Sequence, residues 1–137
     1  MNQDAQSLYE QLGQHEGIMA LAHAFYDAME ADEPELTALH QCDESGRVTQ
    51  EMRDRFGLFL VGWLGGPQEY MATYGHPRLR MRHARVPIGV AMRDAWLRSM
   101  AVAMDQYNIN GPAREFLDGR FAQVADFLRN RREDQEQ

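Results

Sequence analysis

The sequence predicts an all-α domain with a gap in its core. Three observations carry this. Apolar residues recur three and four apart in four separate stretches, the spacing of a helical stripe that faces a core. No stretch alternates apolar and polar residues as a half-buried strand does, and there is no internal repeat or low-complexity run. Between the second and third of these helices lies an irregular segment, residues 68–87. That is long for a connector inside a compact domain, and such segments are usually functional.

The elements follow in order. Leu8, Tyr9 and Leu12 form a first short apolar patch that Gly13 ends. From Glu16 to about Ala31, the residues Ile18, Leu21, Ala22, Phe25, Tyr26 and Met29 make one buried stripe, and Pro34 sits past its end. Residues 32–48 read as polar and turn-like, anchored by Leu36, Leu39 and His40. Thr49 is an N-cap candidate for a helix to Leu64 whose stripe is Met52, Phe56, Phe59, Leu60 and Trp63. Gly65-Gly66-Pro67 ends it, with glycine as the cap and proline as the stop. Beyond the irregular segment, a helix from about Gly89 to Tyr107 carries Met92, Ala95, Trp96, Ser99, Met100 and Ala103. Asn110-Gly111-Pro112 breaks it. The last helix, about Pro112 to Asn130, carries Phe116, Leu117, Phe121, Val124, Phe127 and Leu128. The charged tail from Arg131 to Gln137 is expected to fray, leaving an ordered core over about residues 8–130 of one domain spanning 1–137.

Composition excludes several function classes. A chain of 137 residues has room for one core. A net charge of -7 argues against a nucleic-acid or anionic-membrane partner, since each needs a basic face. The single cysteine, Cys42, makes neither an internal disulfide nor a Cys-rich metal site. The start, Met-Asn-Gln-Asp-Ala-Gln, is polar and no signal peptide, and no apolar run approaches the ~20 residues of a membrane span. The expected location is the cytoplasm.

The chemistry concentrates around the irregular segment. His83 closes a basic run, Arg78, Arg80 and Arg82, is followed by Arg85, and stands thirteen residues before Trp96. A histidine on a short turn, flanked by arginines and facing a helix with an inward tryptophan, suits a planar anionic cofactor. A bound cofactor would also fill the gap in the core. A neutral imidazole ligates iron through one ring nitrogen while the other donates to a carbonyl, and guanidinium forks suit carboxylates. Singly, each residue has a plainer reading: His83 as a surface histidine, the arginines as a solvated face, Tyr26 and Trp96 as core aromatics, His40 as a loop histidine. Tyr26 and Trp96 nevertheless carry polar groups that need a partner once buried. His76 and His83, seven apart, match no zinc spacing, and His15, Glu16 and His23 form no HExxH. There is no phosphate-binding glycine loop and no nucleophile motif.

Four segments together resemble the group II truncated haemoglobins: Phe25-Tyr26, Trp63 to Pro67, Gly75 to His83, and Arg93 to Arg98. Their order and spacing span roughly residues 8–128. The resemblance implies a two-over-two helical sandwich around haem b, with His83 as the iron ligand. It implies Tyr26, Trp96 and His40 as polar groups facing a bound ligand, with Met52 and Phe56 beside them. Tyr70, Arg80 and Arg82 match positions near the propionates, and His76 and Ile88 are further candidate cofactor contacts. Three departures stand out: Gln14 after Gly13 where the family has a second glycine, a longer stretch from Cys42 to Gln50, and Met52 where the family often has a small residue that leaves ligand access wider.

A bound O2 carries partial negative charge, and a hydrogen bond to a charged acceptor contributes about 1.5–3 kcal/mol. Two of them slow release by several decades, at about 1.4 kcal/mol per decade. A protein that holds O2 so tightly is a poor carrier. The expectation is therefore O2, NO or CO binding tied to redox work, such as nitric oxide conversion to nitrate or peroxide-dependent oxidation, with an unidentified reductase as electron donor. The alternatives are an O2 storage, delivery or sensing module without turnover, a resting state in which His40 itself ligates iron, and a haem-free helical interaction domain. Monomer and homodimer both stay open.

Overall fold

The computed structural model describes residues 7–84 and 86–130, with backbone only for Arg80 and Arg82. The terminal tail expected to fray lies outside the described residues. Eight helices appear among them: α1 Leu8–Gln11, α2 Gln14–Asp32, α3 Pro34–Thr37, α4 Gln50–Trp63, α5 Glu69–Tyr74, α6 Leu79–His83, α7 Val90–Gln106 and α8 Gly111–Phe127. The four long ones are the four the periodicity predicts, each within a few residues. No strand occurs among the described residues beyond one isolated antiparallel bridge, Cys42 with Val48.

α2 is the hub, packing on both α4 and α7, while α7 also packs on α8. Its stripe is fully withdrawn from solvent: Ile18, Leu21, Phe25 and Met29 are each about 1 % exposed or less. Burying side chains of this size stabilises the fold by about 1.5–3 kcal/mol each. Leu60 and Val61 of α4 and Met100, Ala103 and Met104 of α7 close on α2 from either side, and Leu117 and Phe121 of α8 complete the cluster.

Local signals start the helices. Ser7 and Glu10 form a capping box on α1, and the Thr49 hydroxyl accepts the Met52 N–H at the start of α4. After α4, Gly65 takes φ +102° and Gly66 admits the Tyr9 ring so closely that a Cβ there would sit 2.4 Å from it. That contact, with the Tyr9 N–H donating to Leu64 O, fastens α1 to the end of α4.

One charged group is buried among these helices. Arg53 is 4 % exposed, and each of its three guanidinium nitrogens donates: to Val48 O, to His23 O and Asp27, and to Glu30. Glu30 also accepts the Val48 N–H, so this network ties α2, α4 and the Cys42–Val48 turn together. No helix among the described residues is long and apolar enough to cross a membrane.

Candidate functional site

The segment 68–87 is not a featureless loop. It folds as α5 and α6, and with α2, α3, α4, α7 and α8 it walls a cavity of about 320 Å³. That is the size at which small-molecule and cofactor pockets begin, and its lining is mostly apolar.

Eight of the residues expected at the site line this cavity: Tyr26 and His40, Met52 and Phe56, Tyr70 and His83, Ile88 and Trp96. The elements explain their convergence. Tyr26 and Trp96 face inward from the two helices packed on each other, with Phe25 touching both rings at centroid distances of 4.9 and 5.0 Å. Phe56, on α4, meets Tyr26, Phe25 and Trp96 edge-on or tilted. The side chains of Arg80 and Arg82 lie outside the described residues. His76 does not reach the cavity. The left-handed residue Arg78, φ +47°, turns the chain so that His76 stays exposed and its Nδ1 accepts the Arg78 N–H at 3.2 Å.

His83 ends α6. Its Nδ1 lies 2.7 Å from Leu79 O. A carbonyl only accepts, so Nδ1 carries the proton and Nε2 is left with its lone pair, on a side chain that lines the cavity. His40 repeats the arrangement: Nδ1 donates to Leu36 O at 3.0 Å. Burial is the main cause that holds its pKa below the ordinary histidine value, and His83 nearby adds to it against the bond to Leu36. At neutral pH His40 therefore offers the cavity a lone pair rather than a donor.

The donors are Tyr26 and Trp96. Tyr26 is 4 % exposed, and burial raises its phenol pKa, opposed by Arg53 whose guanidinium sits 5.7 Å from its ring centre. It stays an O–H at any physiological pH. Neither the Tyr26 hydroxyl nor the Trp96 indole N–H has a hydrogen-bond partner among the described residues. Both residues line the one cavity, so their two open donors are available to a ligand there.

No group of three or more His, Cys, Asp or Glu side chains among the described residues is arranged to hold a metal ion. A metal taken by His83 in this apolar pocket must then arrive with its other ligands already attached, as it does in a porphyrin. Two imidazoles that each keep a lone-pair Nε2, apolar walls and two open donors fit haem.

Two residues at the site went unread in the sequence. Asn130, just past α8, clamps the strand of chain that follows His83. Its amide Nδ2 donates to His83 O at 3.1 Å and Val86 O at 2.8 Å, its Oδ1 accepts the Ile88 N–H, and its own N–H donates to Ile88 O. Arg55 lines the cavity between Met52 and Phe59. Its position inside the α4 stripe was the available signal.

Comparison with known proteins agrees with this geometry. The family model described as bacterial-like globin matches residues 7–130. The group 2 truncated haemoglobin YjbI of Bacillus subtilis is 35 % identical over 133 residues, covering 97 % of this chain and 96 % of that protein. Among solved structures, the cold-adapted truncated haemoglobin of the Antarctic marine bacterium Pseudoalteromonas haloplanktis TAC125 superposes with a TM-score of 0.83 at 37 % identity, covering 92 % of this chain and 99 % of that one. The truncated oxygen-avid haemoglobin of Bacillus subtilis gives a TM-score of 0.80 at 36 % identity, covering 91 % and 100 %.

Proposed function

The chain belongs to the bacterial-like globins, among the group II truncated haemoglobins, and on that premise we propose that its cavity holds haem b through His83 and serves redox chemistry on O2 and nitric oxide. As a globin it binds haem and, through it, small diatomic ligands such as O2. The observation that carries the site assignment is the set of groups on the cavity: the His83 imidazole on α6 with Nε2 free, opposite two donors, Tyr26 O–H and Trp96 N–H, without partners.

When bound, haem supplies the redox chemistry and an open coordination position for a diatomic ligand. The chain's own residues do the rest. The Leu79 carbonyl fixes the His83 tautomer and orients its ring, as the outer partner of a ligating histidine does. Tyr26 and Trp96 present two donors to a ligand that gains negative charge. His40, neutral with Nε2 as acceptor, stands beside Tyr26, their rings 5.6 Å apart edge-on. Apolar walls from Phe56, Phe59 and Met52 keep water scarce, which strengthens each of these bonds.

Two open donors favour slow O2 release, and slow release favours turnover over delivery. The oxygen-avid relative supports that reading. Turnover needs an electron donor, and a separate reductase is the expected partner.

The test is spectroscopic, then kinetic. Haem-reconstituted protein should show a Soret band and a stable ferrous-CO form at one haem per chain, lost or displaced in His83→Ala. Mixing the ferrous-O2 form with nitric oxide should yield nitrate stoichiometrically, with turnover when a reductant is supplied. An intact spectrum with no nitrate and no peroxide-dependent oxidation would leave O2 storage or sensing as the function. No stoichiometric haem uptake would remove the site.

A further inference from the structure

Arg53 is the one buried charged side chain among the described residues, and it does not line the cavity. It stands behind a residue that does. Its guanidinium carbon lies 5.7 Å from the centre of the Tyr26 ring, a cation–π contact from α4 to α2. Phe25, Phe56 and His40, which also touch that ring, are uncharged at neutral pH. The hydrogen bonds of Arg53 close on the same part of α2. Nη1 donates to His23 O at 3.2 Å, three residues before Tyr26, and to Asp27 at 2.8 Å, one residue after it. Nη2 donates to Glu30 at 2.7 Å, four residues after it. Nε donates to Val48 O at 3.0 Å, just ahead of α4. Residues three and four apart share a helix face, so these grips bracket Tyr26.

Two effects on the Tyr26 hydroxyl follow. The first is aim. α2 cannot roll or slide at Tyr26 without breaking a charge-assisted hydrogen bond, the strong kind. The second is donor strength. A cation beside the ring draws electron density from the phenol oxygen, and burial leaves its field poorly screened. The carboxylates that hold Arg53 are both shared with the exposed Arg47, so the cluster brings two cations to two anions. Arg53 is the member that touches Tyr26. Burial raises the Tyr26 pKa and Arg53 opposes that rise, the same pull acting on the proton.

We propose that Arg53 is a positioning residue of this site, which aims the Tyr26 hydroxyl into the cavity and strengthens it as a donor to a ligand that gains negative charge. The inference rests on the reading that the cavity holds haem and that Tyr26 meets the ligand bound there. A residue that only tied α2 to α4 would act on the whole site alike. A positioning residue acts through Tyr26, and that difference is measurable as coupling between the two side chains.

Wild type, Arg53→Met, Tyr26→Phe and the double variant would each be loaded with haem. O2 release is read by stopped-flow displacement with CO, and the C–O stretching band of the ferrous-CO form by infrared absorption. Arg53→Met should speed O2 release about threefold or more while Tyr26 is present, and change it by less than about twofold in Tyr26→Phe. The C–O band should move between wild type and Arg53→Met and stay in place between Tyr26→Phe and the double variant. Arg53→Lys keeps a charge, yet its three donors cannot serve four acceptors at once, so it should show the same Tyr26-dependent acceleration at smaller size. It carries the comparison if Arg53→Met fails to fold. Equal acceleration with and without Tyr26, or none in either, would overturn the proposal, as would equal band shifts in both pairs. Unchanged O2 release in Tyr26→Phe would overturn it through its premise. A wild type that takes up no haem would overturn the haem reading as well, whereas uncoupled variants of a haem-loaded protein leave that reading standing.

Discussion

Trp96 separates packing from chemistry more cleanly than any other residue here. Its ring sits 5.0 Å from Phe25 and 5.6 Å from Phe121, so Trp96→Phe keeps an aromatic in that cluster and removes only the open N–H. Loss of one hydrogen bond to a charged acceptor, about 1.5–3 kcal/mol, should speed O2 release at least tenfold in stopped-flow displacement by CO. An unchanged off-rate would take Trp96 out of ligand stabilisation. At this scale the sequence was legible where a residue type and its spacing both carry meaning. His83, Tyr26 and Trp96 fall on turns and stripes that must face inward, and they do line the cavity. Arg55 was not legible because a charge inside an apolar stripe is ordinarily read as one that reaches out to water. His76 pointed the wrong way for a different reason: the left-handed turn at Arg78 is a backbone event that no side-chain pattern announces.

Among the elements, the α1–α2 junction holds a strain that its residues do not need. Gly13 and Gln14 both take positive φ, +94° and +60°. Glycine does so freely, whereas the left-handed region costs an L-residue with a Cβ roughly 1–2 kcal/mol. Gln14→Gly should relieve that, offset by about 0.5–1 kcal/mol for glycine's greater freedom in the unfolded chain. The net gain, up to about 1 kcal/mol, corresponds to a rise of about 3 °C in melting temperature. Gln14→Ala keeps the Cβ and should show no such rise, which checks that φ is the cause. The long helices were legible because fourteen or more residues give several turns of periodicity. The four short ones, α1, α3, α5 and α6, have four to six residues, too few to show a period and too few to stand alone. Their neighbours hold them in place: the Thr37 hydroxyl donates to Met29 O of α2, and Tyr70 packs on Phe59 of α4.

On the scale of the whole molecule, the site is closed by a residue far from it in sequence. Asn130 makes three side-chain hydrogen bonds to the chain between His83 and Ile88. Asn130→Ala should cost about 2 kcal/mol in urea unfolding, at roughly 0.5–1.5 kcal/mol per bond. It should also speed hydrogen exchange at the Ile88 amide while leaving Val61, in the α2–α4 core, unchanged. An Ile88 amide that exchanges at the wild-type rate would show the clamp to be idle. The same clamp bears on how the molecule is made. Asn130 is translated 47 residues after His83 and 42 after Ile88. At about 5–20 residues per second, roughly two to nine seconds pass in which His83 exists and its clamp does not. A nascent chain still on the ribosome has α2 and α4 to pack, yet the turn carrying His83 is unfastened. Capture of a cofactor through His83, as proposed, would then follow the making of residue 130 rather than that of the histidine itself.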